Sequence, residues 1–162
     1  MAKDILRAGI DTNVLVAYFK NETNVNGVNR VASGENLFRK AAKGELLIIV
    51  SSLVVFEVAE GLDSIDQDFS DLYDLRRWEG FEIVMVNYEI ATLGGKIMRK
   101  YDLRRKYKID ALLLSTAAYA KAEKFYTWDN RFIRKIKNST FEDDYHIQVE
   151  NPPPVRDLFS ER

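Results

Sequence analysis

Four acidic residues stand where apolar runs change character: Asp11 in RAGIDTNVLVAYF, Glu57 in SSLVVFE, Asp110 in KIDALLLSTA and Asp129 in YTWDNRF. A carboxylate beside so much apolar surface is costly to desolvate, so each needs a reason to be there. One reason is ordinary. Aspartate is a favoured helix N-cap, and Asp11, Asp110 and Asp129 could each do no more than cap the helix that follows. Glu57 could be a partly exposed helical acid; on a helical wheel it falls between Leu53 and Val54, with Glu60 nearby and more outward. Taken together, the caps explain less. Four carboxylates brought within a few ångströms repel one another and raise each other's pKa, and something positive must offset that.

The rest of the composition narrows what the positive partner is. The chain has no cysteine and a single histidine, His146. Disulfides, thiolate zinc sites, a cysteine nucleophile and a two-histidine zinc site are thereby excluded, and a Ser-His-Asp triad has one candidate base. Oxygen ligands remain, and they suit a hard cation, Mg2+ or Mn2+. Such an ion can activate a water, orient a phosphate and stabilise charge developing on its oxygens.

The formal net charge of −1 favours neither nucleic acid nor acidic ligands, so local clustering decides. Arg99, Lys100, Arg104, Arg105, Lys106 and Lys108 crowd in before Asp110, and Arg131, Arg134, Lys135 and Lys137 follow Asp129. Each cluster alone reads as a solvated helix face; flanking two of the acids, they would grip a nucleic-acid backbone while a metal offsets the centre. Tyr101, Tyr107, Trp128 and Phe132 are interleaved with these charges. Trp128 is the better candidate to stack on an unpaired base, and Phe132 reads as core. Asp63, Asp66, Asp68, Asp71 and Asp74 lack the glycine and closing glutamate of a calcium loop and read as a solvated acidic face or cap. His146 reads as a structural polar residue.

The elements that must position the acids follow from pattern. Residues 5–10 read as a first strand and 13–19 as a helix. The Asn- and Gly-rich stretch 21–36 reads as a long loop, ending at a helix over about 35–43. The continuous apolar run 46–50 reads as a strand buried on both faces, and Ser51-Ser52 as the cap of a helix over 53–62. A further helix ends near Trp78, a third strand covers 81–86, and helices cover 88–101 and 109–122. The small residues of the last would let it lie close to a sheet. A fourth strand at 124–127, a helix at 130–137 and a fifth strand at 146–149 precede the Pro152-Pro153-Pro154 stop. Alternating strands and helices imply an α/β fold: a three-layer open sheet of four to five mostly parallel strands with helices on both faces. In such a sheet the strand C-termini share one edge, where ligands bind; three of the acids lie at ends that can reach it, and Asp110 joins them if its helix starts there. The length of 162 residues suits one domain, with a core over about 5–150 and a candidate docked tail at 151–162. Lys3, Asp4 and Arg7 break the N-terminus, so no secretory leader is expected; the run 46–56 is too short for a membrane span, which needs about 20 apolar residues. A cytoplasmic location is the default expectation.

The ordered set IDTNVL, SSLVVFE, KIDALLLSTA and TWDNRF resembles the PIN-domain nucleases, and is most similar to the VapC-like toxin ribonucleases of toxin–antitoxin pairs. The likeness covers about residues 5–137, and Thr127, Asp129 and Phe132 keep the T-x-D-x-x-F pattern. It implies a divalent-metal-dependent endoribonuclease cutting single-stranded RNA to leave a 5′-phosphate and a 3′-hydroxyl. Asp11, Glu57, Asp110 and Asp129 match the family's acidic quartet, with Thr12, Asn13 and Thr127 as supports by hydrogen bonding. Asp11, Asp110 and Asp129 would hold the ion, and Glu57 would help hold it or orient the attacking water. Arg104, Arg105, Lys106, Lys108, Trp128 and Arg131 would contact RNA. Two departures stand out: the stretch 21–36 is longer than in compact members, and Arg131 stands where some carry a further acid. An antitoxin partner and a homodimer are expected from the resemblance alone. The rival readings are an RNA-processing PIN nuclease without an antitoxin, a non-catalytic RNA- or protein-binding PIN module, and a phosphatase using Asp11 as nucleophile. The last is disfavoured because Asn13 stands where a D-x-D sequence needs its second acid.

Overall fold

The structure, a computed structural model, describes residues 5–62 and 77–155. Five strands form one sheet in the order β3-β2-β1-β4-β5, every pairing parallel. They are β1 (Leu6–Ile10), β2 (Leu46–Ser51), β3 (Phe81–Val84), β4 (Lys124–Tyr126) and β5 (Gln148–Glu150). The connecting helices are α1 (Thr12–Phe19), α2 (Arg30–Ala42), α3 (Ser52–Leu62), α4 (Tyr88–Lys100), α5 (Lys108–Tyr119), α6 (Asn130–Lys137) and α7 (Phe141–Tyr145). This is the expected open parallel sheet flanked by helices. The strand order reverses between β1 and β4, and in open parallel sheets ligands bind in the crevice outside the strand carboxyl ends at such a switch point.

Burial explains the strand sequences. Ile48, Ile49 and Val50 are all buried, as the central run of a doubly covered strand requires. The helix α5 lies against β1, β2 and β4 at close range, because the small residues meet there. A Cβ on Gly9 would stand 2.8 Å from the Ala117 Cβ and 2.9 Å from a ring carbon of Phe125. At the turn before β3, Gly80 has φ +75°, and a Cβ there would fall 2.5 Å from the Ala41 carbonyl oxygen. An aromatic cluster of Tyr18, Phe38, Trp78 and Phe81 ties α1 and α2 to the turn before β3 and to the start of that strand.

Several boundaries depart from the sequence reading. Helix α2 begins at Arg30, not near Glu35, so the loop before it is shorter than expected. The Asn29 side chain accepts from Ala32 N at 2.9 Å and starts the helix, and the interior Gly34 is accommodated against Tyr18 and Phe38. Strand β3 stops at Val84, two residues early. A short helix, α7, was not read from the sequence, and β5 starts only at Gln148. His146 is not on the strand: it takes a left-handed conformation (φ 56°) at the end of α7 and is exposed. The acidic stretch 63–74, the body of the helix expected before Trp78, and most of the tail lie outside the described residues. No helix among the described residues is long and apolar enough to cross a membrane.

Candidate functional site

Asp11 sits just past the end of β1. Its backbone N–H donates to the Tyr126 carbonyl at 2.9 Å, which continues the β1–β4 ladder by one step and fixes the residue over the crevice. It occupies the N-cap position of α1 without making a side-chain cap bond. Its carboxylate is used elsewhere. Oδ2 accepts from the Thr127 hydroxyl at 2.6 Å and from Asn13 Nδ2 at 2.8 Å. Asn13 also reaches Thr127 Oγ1 at 3.0 Å, and its carbonyl oxygen accepts from Trp128 N at 2.9 Å. These bonds lace the start of α1 to the loop after β4. Thr127 is fully buried and accepts from Asp129 N at 3.0 Å, so one hydroxyl links two of the acids.

Asp129 is the acid that does cap a helix. Its Oδ1 accepts from Arg131 N at 2.8 Å and Phe132 N at 3.0 Å, satisfying the first free donors of α6. Asp110 does not cap its helix and has no ion-pair partner among the described residues. It lies inside the first turn of α5, where Tyr107 holds the cap position, and it is half-buried. Glu57 is half-buried on α3 and accepts a hydrogen bond from the Thr12 hydroxyl, whereas Glu60 is exposed. That contact separates two glutamates which helical periodicity left level.

The electrostatics show that the four acids share one neighbourhood. Burial pushes the Asp11 carboxyl up to about 6; the Thr127 hydrogen bond opposes this and the Glu57 charge adds to it. Burial likewise pushes Asp110 up to about 7, followed by the charge of Asp11, with Asp129 and Glu57 contributing in the same sense. Crowded like charges and desolvation act together, as in paired carboxylates elsewhere. Among the described residues no three acids are spaced as a ready-made metal cage. Thr12 engages Glu57 and the α6 amides engage Asp129. The donor set itself fits a hard divalent cation, being all carboxylate oxygen with neither thiolate nor imidazole among the four.

Arg104, Arg105 and Lys106 in the approach to α5, Lys108 at its start and Arg131 in the first turn of α6 are exposed. Trp128 is half-buried, and the Arg30 guanidinium lies 5.2 Å from its ring centroid, so one face of the ring is already engaged. Arg30 in turn pairs with Glu22 at 3.0 Å. Arg30 could not be found from the sequence, because it opens a helix that composition disguised as loop. Asn151, which donates to the Thr127 carbonyl at 2.8 Å, and the buried Ser51–Thr116 hydroxyl pair at 3.3 Å also support the crevice. Asn151 lies beside a proline run and Ser51 reads only as a cap, so neither carries a sequence signal of its own.

Comparison with known protein families matches residues 9–138 to the PIN domain. Among solved structures, the VapC20 toxin of Mycobacterium tuberculosis, described as cleaving the sarcin-ricin loop, superposes with a TM-score of 0.59 at 15% identity, covering 77% of this chain and 92% of that one. A toxin-antitoxin complex from Klebsiella pneumoniae superposes with a TM-score of 0.55 at 18% identity, covering 91% and 99%. At these identities the likeness is one of fold. No curated protein matches the chain in a sequence search.

Proposed function

The chain belongs to the PIN-domain family, and from that premise we propose that it is a divalent-metal-dependent endoribonuclease acting on single-stranded RNA, the toxin of a toxin–antitoxin pair. What carries the reading is one juxtaposition: Asp11, Glu57, Asp110 and Asp129, drawn from separate stretches of chain, bear on one another at the β1/β4 switch point. Asp11 is buried and Asp110 half-buried, and neither pairs with a cation among the described residues.

Asp11, Asp110 and Asp129 would hold the ion, Mg2+ or Mn2+, which would supply a more acidic water and offset charge on the phosphate oxygens. Thr127 and Asn13 hold Asp11 in one rotamer, and the α6 amides hold Asp129, so the ligating groups are oriented before substrate arrives. Glu57, with one oxygen engaged by Thr12, orients the attacking water with the other. The water oxygen bonds to phosphorus in line with the leaving group and releases a proton, the P–O3′ bond breaks, and the departing oxygen takes up a proton from solvent, so one water is consumed and a 5′-phosphate and a 3′-hydroxyl result. The exposed arginines and lysines hold the backbone on either side. The partner reading rests on the fold shared with a protein solved in a toxin-antitoxin complex; an antitoxin contributing Arg or Lys would be attracted by the same acids, and a homodimer is part of the same reading.

The test is cleavage of a fluorescent single-stranded RNA by the full chain, with Mg2+ or Mn2+ and with EDTA. The parental protein cuts only with metal, and Asp11→Asn and Asp110→Asn fold normally but lose at least 100-fold in rate, the scale on which positioned catalytic groups act. Either variant cutting at the parental rate overturns the assignment.

A further inference from the structure

Beyond the acids, one depression in the described surface has a lining dominated by cations. Arg104, Lys106, Tyr107 and Lys135 enclose about 230 Å³, and no acid lines it. The residues come from two places in the chain: the turn leading into α5, and the body of α6. Their convergence is built rather than incidental. Tyr107 is buried, its ring centroid lies 5.3 Å from that of the fully buried Phe132, and the Lys106 ammonium lies 4.6 Å over the same ring. Arg104 and Lys106 are exposed and Lys135 is half-buried. Like charges held together without a counter-charge cost free energy unless an anion joins them.

The position supplies the class of anion. Tyr107 holds the cap position of the helix that bears Asp110 in its first turn, and Phe132 sits three residues after Asp129. At roughly 1.5 Å of rise per helical residue, Tyr107, one wall of the notch, lies within about one helical turn of Asp110 along the helix. A single phosphate group is small enough for the space and strong enough to pair with three cations. We propose that this notch is a backbone-phosphate subsite for RNA, engaging a phosphate neighbouring the one that is cut. Lys135 is its deciding residue, because it brings the charge of α6 to a cluster otherwise drawn from the α5 approach. The subsite rests on the ribonuclease reading for its substrate, but its binding is separable from cleavage.

The experiment measures binding of a fluorescent 12-nucleotide single-stranded RNA by anisotropy in EDTA, across a salt series, with cleavage assayed separately in Mg2+ or Mn2+. Lys135→Ala and Arg104→Ala each weaken binding several-fold. Each also lowers the slope of log affinity against log salt by about 0.7, the value for one lost phosphate contact on a single strand. Lys43→Ala, on the exposed end of α2, leaves both unchanged. Loss of fold would not lower the slope selectively, and thermal melts of each variant check it. Parental affinity and slope in Lys135→Ala overturn the subsite while leaving the ribonuclease reading intact. Notch-dependent binding without metal-dependent cleavage does the reverse. A parental chain that binds no RNA defeats both.

Discussion

At the scale of single residues, Thr127 is the hub. Its hydroxyl donates a hydrogen bond to Asp11 at 2.6 Å and accepts one from the Asp129 amide at 3.0 Å. Removing that donor leaves Asp11 buried with less stabilisation of its charged form, so its carboxyl moves further above about 6. Thr127→Val is nearly isosteric, and the lost charge-assisted bond costs about 1.5 to 3 kcal/mol. The expected result is that the acidic limb of the pH–rate profile for RNA cleavage shifts to higher pH, with recovery in Thr127→Ser. An unchanged limb would show that the hydroxyl does not tune Asp11. The residue types of this network were legible in the sequence, because a carboxylate at the end of an apolar strand has few uses. Their division of labour was not. Three acids looked alike as caps, and only the coordinates show that Asp129 caps, Asp11 occupies the cap position without capping, and Asp110 lies inside its helix.

At the scale of elements, the site depends on how closely α5 approaches β1, since α5 carries Asp110 and β1 delivers Asp11. Gly9 sets that distance. A methyl group there would stand 2.8 Å from the Ala117 Cβ, and both partners are backbone-anchored, so helix or strand must shift. Gly9→Ala is expected to cost about 1 to 3 kcal/mol by overpacking and to reduce cleavage beyond what lost stability explains. Gly95→Ala is the control, because a Cβ there meets nothing within 4 Å on the exposed face of α4. It should stabilise by about 0.5 to 1 kcal/mol with activity unchanged. Thermal melts with rates measured well below the transition separate the two cases. Equal behaviour of the two variants would sink the argument. The elements themselves were largely readable: apolar runs gave β1, β2 and β4, and helical spacing gave α4, α5 and α6 within one to three residues. The failures share a cause. Helix α2 starts on Asn29 inside a stretch whose composition suggests loop, and its stability comes from packing against α1 rather than from propensity. The five-residue α7 is too short to show a period.

At the scale of the whole molecule, the crevice is a concentrated debt of negative charge within a chain of net charge −1. The consequence for stability has a definite sign. Asp11 and Asp110 have folded-state values of about 6 and about 7, above the 3.8 of an unfolded aspartate. Across that window the folded protein binds more protons than the unfolded one, so metal-free stability is greatest below about 4 for these groups and falls as pH rises through 6 and 7. Asp144 does not enter, because hydrogen bonds from Thr140, Lys100 and Tyr101 lower it to about 2. On the proposed reading, a divalent cation held by Asp11, Asp110 and Asp129 would offset the repulsion, and its effect would be largest where the carboxylates are ionised. The direct measurement is therefore thermal unfolding of the full chain at pH 5 and pH 8, with EDTA and with millimolar Mn2+, for the parental protein and Asp110→Asn. The account predicts a parental Tm that is lower at pH 8 than at pH 5 in EDTA and is raised by Mn2+ chiefly at pH 8, and an Asp110→Asn variant that is more stable than the parent at pH 8 without metal and gains little from it. Equal Mn2+ stabilisation of both proteins, or none of either, would contradict it.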